Sequence, residues 1–282
     1  MGDVKPMRLP AAPELEELEL ELLLEALLRR YGFDFRAYER SALKRRLHGV
    51  MQQRGLRTLS ALQDRALHDA ASFSALLRAL HVPAAEMFDD DAEAAQLRQL
   101  AGASLRGAAV PKVWLADCAG AGQAWTLAVL LAEQGLLAHT EIHATVANDE
   151  QLAEAADASL PQERMADYQA AYARAGGAGL LADYFQSDGE RAVLLPQLRS
   201  HISWAQYNLA TDASFNEFNL IVCRRALPDF GPLLRQRVLH LFDDSLSLFG
   251  VLGIDRQFDA ADALTMRYQP MLPRQPWYRR IG

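Results

Sequence analysis

The sequence has few cysteines and no long apolar run. Its two cysteines, Cys118 and Cys223, each stand inside a short apolar stretch, which is typical of core thiols in a reducing compartment and not of a disulfide framework. The apolar runs are too short to cross a bilayer, and the polar start, MGDVKPMRLPAAPELEE, has no secretory signal. These absences predict a cytoplasmic protein without membrane insertion.

An overall excess of positive charge is also lacking. Lys and Arg number 29 and Asp and Glu 36, which gives a net charge of −7, so nucleic-acid binding is not expected. The charge is unevenly distributed, however, because residues 29–78 contain eleven Lys and Arg but four Asp and Glu. A basic module joined to an acidic remainder predicts that the first part has an acidic partner.

Motifs of several common enzyme classes are missing. The seven histidines show no spacing typical of metal ligands, so no metal site is predicted. Neither a Gly-x-Ser-x-Gly motif nor a phosphate-binding loop occurs. These motifs therefore do not identify an active site.

Residues 14–90 have the periodicity of a helical domain, which follows a flexible start at residues 1–13. The first helical segment has an apolar stripe of Leu15, Leu18, Leu22 and Leu23. In the second helical segment, four basic residues lie away from the apolar face: Arg36, Arg40, Lys44 and Arg45. This pattern predicts a four-helix module whose basic face docks the acidic partner.

From residue 112 onwards, short apolar runs alternate with helical segments. The predicted strands are KVWLADC, EIHATVAN, ISWAQYNL, FNLIVCRRAL and LFGVLGI. Such alternation predicts an α/β, doubly wound, Rossmann-like domain over residues 112–282, preceded by a linker helix at 91–111. Two apolar runs around SDGE predict a small inserted β-subdomain around residues 176–203. Ligands of such sheets bind in the loops after the strands, here after Ala116, Val146 and Cys223.

The order of six segments resembles the CheR-type chemoreceptor glutamate methyltransferases across nearly the whole chain. The segments are YGFDFRAYERSALKRRL, EMFDD, WLADCAGAGQAWTLAVLLAEQGLL, IHATVAN, LPQERMADYQAAYARAGG and FNLIVCRRAL. The resemblance implies a receptor-recognising helical domain and an S-adenosylmethionine-binding α/β domain with a small β-subdomain. It also implies methylation of glutamate side chains on chemoreceptor helices, so the acidic partner would be a carboxylate-rich receptor helix.

The first departure from the family lies before the sheet domain. Asp89 stands where the family has an active-site arginine. A guanidinium there could neutralise and hold the substrate glutamate, whereas a carboxylate repels it. A simpler interpretation is that Asp89, Asp90 and Asp91 form a solvated helix start.

The cofactor loop of the family is also altered. Asp117 and Ala121 replace its two glycines, and the two glutamates that follow are replaced by Gly122 and Gln123. Ala119, Gly120 and Gly122 keep the loop small, so a ligand could still approach. The alternative is a tight turn between a strand and a helix that has no ligand.

Two further ligand-facing segments differ from the family. Val146 replaces the aspartate that would bind the ribose, and Asn148 could either substitute for it or cap the next helix. In the fourth signature Arg224 is retained, Arg225 replaces an asparagine, and Asp229 replaces the tyrosine near the methyl-transfer site. Arginines at 224 and 225 could also form a new site for a small anionic ligand.

These four segments are altered at polar and glycine positions, while the apolar framework between them is intact. We therefore predict a catalytically silent CheR-like protein without bound S-adenosylmethionine. It would act as a binding or regulatory module toward a chemoreceptor or another acidic signalling protein. The alternative is an active S-adenosylmethionine-dependent protein-glutamate O-methyltransferase that uses divergent contacts.

Overall fold

The computed structural model describes residues 14–258 and 264–282 of the chain. The predicted flexible start at residues 1–13 therefore lies outside the described residues. The chain divides into two compact units with the boundary between Leu80 and His81.

The first unit is helical, as predicted. Its helices are α1 (Leu15–Tyr31), α2 (Arg40–Arg54), α3 (Leu59–His68) and α4 (Ala70–Leu80). Helices α1 and α2 end at Gly32 and Gly55, both of which adopt a left-handed backbone that glycine reaches without steric cost. The Thr58 hydroxyl accepts a hydrogen bond from the backbone N–H of Ala61 (3.1 Å) and so caps α3.

The apolar face of α1 differs from the predicted one. Leu15, Leu18 and Leu22 are exposed, so the prediction is wrong for these three residues, whereas Leu23, the fourth residue of the predicted stripe, is buried. The buried residues of α1 are Leu20, Leu23, Leu24 and Leu27, which also have helical spacing. Because α1 has leucines on both sides, spacing alone could not identify the side that packs against the other helices.

The second unit contains the remaining helices and all the strands. Its helices are α5 (Asp91–Leu105), α6 (Ala121–Glu133), α7 (Asp149–Ala156), α8 (Met165–Arg174), α9 (Pro196–Arg199) and α10 (Pro232–Ser245). Its strands are β1 (Lys112–Leu115), β2 (Glu141–Val146), β3 (Leu160–Pro161), β4 (Phe185–Asp188), β5 (Arg191–Leu194), β6 (Ile202–Gln206), β7 (Phe218–Cys223), β8 (Leu246–Ile254), β9 (Tyr268–Pro270) and β10 (Trp277–Arg280).

Seven strands form the main sheet in the order β6-β2-β1-β7-β8-β10-β9. The first five are parallel to one another, and β10 is antiparallel to both of its neighbours. This confirms the predicted doubly wound α/β fold. The central strands β1 and β7 are almost entirely buried, as expected for parallel strands covered on both faces.

A separate three-stranded antiparallel sheet has the order β3-β5-β4. Strands β4 and β5 form a hairpin around the SDGE turn, where the sequence places the small β-subdomain. The third strand, β3, lies outside the predicted range of 176–203, because its two residues are too few to give a strand pattern.

Two predicted boundaries need correction. The sequence pattern extends the helical domain to residue 90, but residues 81–90 belong to the second unit, where Met87 and Phe88 are part of the core. The predicted linker helix, α5, also contributes Leu97 and Leu100 to that core. It is therefore a structural layer of the α/β unit and not a linker.

Within the described residues, no helix has both the length and the apolarity needed to cross a membrane.

We predict that Gly253→Ala destabilises the fold strongly. Gly253 lies in β8, and a Cβ there would overlap the six-membered ring of Trp277, whose side chain is fully buried. The free energy of unfolding should fall by about 1–3 kcal/mol, as is typical of overpacking, and urea denaturation would measure it. Gly107→Ala is the matched control, because Gly107 has no atom within 4 Å of such a Cβ. Equal urea midpoints for the two variants would contradict the prediction.

Candidate active site

The strand order places a crevice between β1 and β7. From β1 the chain moves to β2 and β6 on one side, and then crosses to β7 on the other side of β1. In open parallel sheets, ligands bind at such a reversal, beyond the carboxyl ends of the strands. The loop after β1 and the two arginines after β7 both lie at this point, as the sequence analysis predicts.

The loop after β1 is a tight turn held by its own hydrogen bonds. The backbone N–H of Cys118 donates to the Thr145 carbonyl (2.6 Å), and the Ala119 N–H donates to the side-chain oxygen of Gln123 (2.8 Å). Asp117 adopts a positive φ of 50°, a conformation that aspartate tolerates better than most residues. Asp117 therefore has the left-handed backbone that a glycine would adopt easily, and it adds a carboxylate.

Neither cysteine of the chain has the properties of a nucleophile. Cys118 lies in the loop after β1 and Cys223 at the end of β7, and both are buried. Burial raises the pKa of the Cys118 thiol to about 12 and that of Cys223 well above its ordinary value. Both thiols are therefore protonated near neutral pH, and a protonated thiol is a poor nucleophile.

Residues 82–89, which we call the covering segment, lie directly on this loop and on the start of α6. The N–H of Ala85 donates to the Ala119 carbonyl (2.7 Å), and the N–H of Phe88 donates to the Thr126 hydroxyl (3.0 Å). A Cβ at Gly122 would overlap the carbonyl oxygen of Ala85 and would lie 2.9 Å from the carbonyl carbon of Glu86. Only glycine fits at position 122 while the covering segment is in place.

Asp89 and Arg225, two of the altered family positions, form an ion pair with each other. The Arg225 guanidinium donates to the Asp89 carboxylate at 2.7 Å. Burial lowers the pKa of Arg225, but the hydrogen bond and the negative charge of Asp89 more than offset this, so the pKa is raised. Each residue thus neutralises a charge that the other introduces into the crevice.

Arg224 is held by different groups. Its guanidinium lies 3.8 Å from the Glu93 carboxylate, donates to the side chain of Gln96 (3.3 Å) and stacks over the Trp277 ring at 5.5 Å. The Trp277 indole N–H also donates to Gln96 (2.6 Å). The arginine that the family retains therefore ties α5 to the carboxyl end of the sheet.

Glu93 is a buried carboxyl group that the sequence analysis missed, because DDDAE suggests only an ordinary helix start. Only 6% of the residue is exposed. Burial raises the Glu93 pKa, Arg224 and Arg225 lower it in part, and Asp90 and Asp89 raise it further. The neutral acid is thus favoured in the folded chain relative to the unfolded chain.

These groups line a cleft of about 400 Å³ beyond the ends of β7 and β8. Its lining residues are Asp89, Asp90, Asp91, Glu93, Arg224, Arg225 and Asp255. Most of the carboxylates are already engaged: Asp90 caps α5, Asp91 lies 3.3 Å from Arg174, and Asp255 lies 2.7 Å from Arg235. Because both lining arginines face carboxylates of the chain, the arrangement is unfavourable for an anionic ligand.

The structure places the two remaining candidate residues elsewhere. The Asn148 side chain accepts from the Gln151 N–H (2.9 Å) and caps α7, which agrees with the simpler of its two interpretations. Asp229 is buried in the turn at Leu227–Asp229 and does not line the cleft. Among the described residues, no group of three or more His, Cys, Asp and Glu could hold a metal ion.

The residues at the crevice do not fit S-adenosylmethionine in the manner that the resemblance implies. At the end of β2, where a carboxylate would bind the ribose, Val146 is fully buried and has no polar side-chain atom. The nearby Asn148 is 4% exposed and is used as a cap. At the first turn of α6, the position of a family glutamate is Gly122, beneath the backbone of Ala85.

In the helical unit, most of the predicted basic face is engaged in ion pairs. Arg36 pairs with Asp34 (2.9 Å) and with Glu25 of α1 (3.3 Å). Helix α1 also supplies the acidic partners of the next two basic residues: Arg40 lies 3.9 Å from Glu21, and Lys44 contacts Glu16 and Glu17. Arg45 is exposed, and no carboxylate of the described residues lies within ion-pair distance of it. The periodicity of a single helix does not reveal these pairs, because most of them join two helices.

We predict that Glu93→Gln changes how stability depends on pH. A carboxyl group whose pKa is raised on folding stabilises the folded chain at low pH, and this contribution is lost as the pH rises through the folded-state pKa. The free energy of unfolding of Glu93→Gln, relative to the original protein, should therefore increase as the pH rises above the ordinary Glu pKa of about 4.3. Urea denaturation at several pH values would measure this difference. A difference that is constant with pH, or that falls, would contradict the assignment.

Comparisons with known proteins agree on one family. The description "CheR methyltransferase, all-alpha domain" matches residues 18–81, and "CheR methyltransferase, SAM binding domain" matches residues 85–257. A Pseudomonas putida protein named "Putative methyltransferase Cher3" is 35% identical over 266 residues, which is 94% of this chain and 97% of the relative. The chemotaxis protein methyltransferase of Listeria innocua is 27% identical over 143 residues, about half of each chain (51% and 52%).

Among solved structures, the glycopeptide N-methyltransferase MtfA complexed with sinefungin superposes with a TM-score of 0.34 at 14% identity. The superposition covers 63% of this chain and 53% of that protein. This agreement is too low to support an inference about the site.

Proposed function

This chain belongs to the CheR methyltransferase family, and we propose that it acts in a chemosensory or related signalling pathway as a binding module without methyl transfer. The observation that carries the proposal is the ion pair between Asp89 and Arg225 at the crevice. In the family, an arginine at the position of Asp89 would neutralise the substrate glutamate. Here that position is a carboxylate, and the nearest guanidinium is paired with it.

The charges of the crevice oppose the family reaction. A glutamate side chain that enters the cleft would approach Asp89 and Asp90, and it would compete with Asp89 for Arg225 and with Glu93 for Arg224. Desolvating a further carboxylate beside these groups costs free energy, and both arginines among the described residues of the cleft already face carboxyl groups of the chain. The site is therefore poorly suited to bring a glutamate oxygen to a methyl donor.

The alternative function is an active protein-glutamate O-methyltransferase that binds S-adenosylmethionine through different contacts. The match of the SAM-binding domain over residues 85–257 and the methyltransferase names of the relatives favour this alternative. It requires cofactor contacts other than those at Val146 and Gly122, where the residues do not fit.

Calorimetry with S-adenosylmethionine and with S-adenosylhomocysteine distinguishes these two functions. We expect no binding heat at cofactor concentrations of a few hundred micromolar, because the ribose and amino-acid contacts of the family are missing. A catalytically complete CheR family member serves as the positive control. A dissociation constant in the low micromolar range, or transfer of a labelled methyl group to a receptor fragment, would overturn the proposal.

For the partner, we propose an acidic helix of a chemoreceptor or another signalling protein, bound by α2 of the helical unit. Arg45 supports this proposal as an exposed cation with no carboxylate within ion-pair distance among the described residues. The half-exposed pairs of Arg36 and Arg40 could exchange their glutamates for those of a partner, because exposed ion pairs are weak.

We predict that Arg45→Glu weakens binding to the cytoplasmic fragment of a chemoreceptor by roughly fivefold or more, since a favourable charge contact becomes repulsive. Arg65→Glu, an identical charge change at an exposed position on α3, should change the affinity less than twofold. Binding would be measured by calorimetry at low salt, with thermal melting as a check on folding. Equal effects of the two variants would show that α2 is not the docking face.

A further inference from the structure

The covering segment is attached to the α/β unit along its whole length. Five of its groups make hydrogen bonds, which reach α7, the loop after β1, α8 with the residue before it, α6, and Arg225 after β7. Three of these groups accept hydrogen bonds: the Val82 carbonyl from Gln151 (3.3 Å), the Glu86 carboxylate from Arg164 (2.7 Å) and Tyr168, and the Asp89 carboxylate from Arg225 (2.7 Å). The other two donate: the Ala85 N–H to the Ala119 carbonyl (2.7 Å) and the Phe88 N–H to the Thr126 hydroxyl (3.0 Å).

One of these attachments includes a strained residue. Phe88 has a positive φ of 54°, which is costly for a bulky side chain. Its ring is nevertheless buried and packs edge-on against Tyr172, with ring centroids 5.3 Å apart. The surrounding contacts therefore stabilise the segment enough to offset this strain.

Gly122 determines how closely the segment approaches α6. Position 122 is the second residue of α6, and any side chain there would overlap the backbone of Ala85 and Glu86. The glutamate at this position in the family cannot coexist with the segment as it lies here. The loss of that side chain thus makes room for the backbone of the covering segment.

The contacted surface is the one that a nucleotide-like ligand uses in this kind of fold. The loop after the first strand and the first turn of the next helix receive the polar end of such a ligand, because the helix N-terminus carries a partial positive charge. Here the carbonyl oxygen of Ala85 lies against that turn, and Ala84 lies 3.8 Å from the position of a Cβ on Gly120. The Ala85 carbonyl thus lies at the start of α6, where the polar end of a bound ligand would be expected.

We propose that the covering segment is an internal ligand of the glycine-containing loop. Its residues occupy the surface at Gly120 and Gly122 that a bound cofactor would otherwise contact, and they stabilise the loop without a cofactor. This inference rests on the proposed function, in which the loop is not needed for methyl transfer. The contacts with the covering segment give a physical reason why this chain keeps the tight loop although the cofactor-binding residues of the family are replaced.

Amide hydrogen exchange of the full chain, followed by NMR with and without millimolar S-adenosylhomocysteine, tests this proposal. The amides of Ala85 and Phe88 should exchange at least about 100-fold more slowly than in an unfolded chain, and the added S-adenosylhomocysteine should not change their rates. Exchange at unfolded-chain rates would overturn the proposal. So would slower exchange or displaced resonances of these amides on addition of S-adenosylhomocysteine.

Two variants test the contacts themselves. Gly122→Glu should speed the exchange of Ala85 by about tenfold or more, whereas Gly107→Glu, at an exposed glycine with open space around it, should not. Thr126→Val keeps the side-chain shape, removes the acceptor of the Phe88 N–H and should speed that exchange by roughly fivefold or more. If Gly122→Glu does not fold, Thr126→Val decides the question, and unchanged Phe88 exchange in this variant would count against the proposal.

A methyl-transfer assay on the same sample separates the two proposals. Transfer of a labelled methyl group, with Ala85 and Phe88 still protected, would contradict the proposed function alone. Fast exchange of these amides without methyl transfer would contradict the internal ligand alone.

Discussion

The close contact between Ala85 and Gly122 is the constraint on which the arrangement of the site depends. Because position 122 has no side chain, the backbone of the covering segment can lie on the first turn of α6. From there the segment reaches Thr126 with the Phe88 N–H and Arg225 with the Asp89 carboxylate. A side chain at position 122 would displace the segment and, with it, the attachments on either side.

The altered positions of the site compensate for one another. Asp89 introduces a negative charge where the family has a positive one, and Arg225 introduces the opposite change, so their pair leaves the local charge balanced. Arg224, the retained arginine, is held by Glu93, Gln96 and Trp277. Buried and half-buried charges need partners, and here the chain supplies them itself. In the proposed binding module, these partners satisfy the charges of the site without a substrate.

A similar self-pairing occurs in the helical unit. Three glutamates of α1 at four-residue spacing, Glu17, Glu21 and Glu25, pair with basic residues of the same spacing. Lys44 and Arg40 lie in α2, and Arg36 precedes it. Exposed pairs of this kind contribute little to stability, so their glutamates can be replaced by those of a partner at small cost. The helical unit therefore has a basic face whose residues are paired with glutamates of α1. Arg45 adds to this face an exposed cation that no glutamate among the described residues pairs with.

The helical module, the five parallel strands, the β4–β5 hairpin and the loops at which the site would lie can all be predicted from the sequence. These features follow from local periodicity, glycine stops and chain order, which neighbouring residues largely specify. Sequence also identified the altered positions, because each can be compared with a family motif one residue at a time.

The sequence could not show that Asp89 pairs with Arg225, that glutamates of α1 pair with basic residues of α2, or that Glu93 and Trp277 both contact Arg224. These contacts join residues far apart in the chain, and only tertiary packing decides which charges and faces meet. For the same reason the prediction is wrong for Leu15, Leu18 and Leu22 of α1, since spacing defines an apolar stripe but not the surface that buries it.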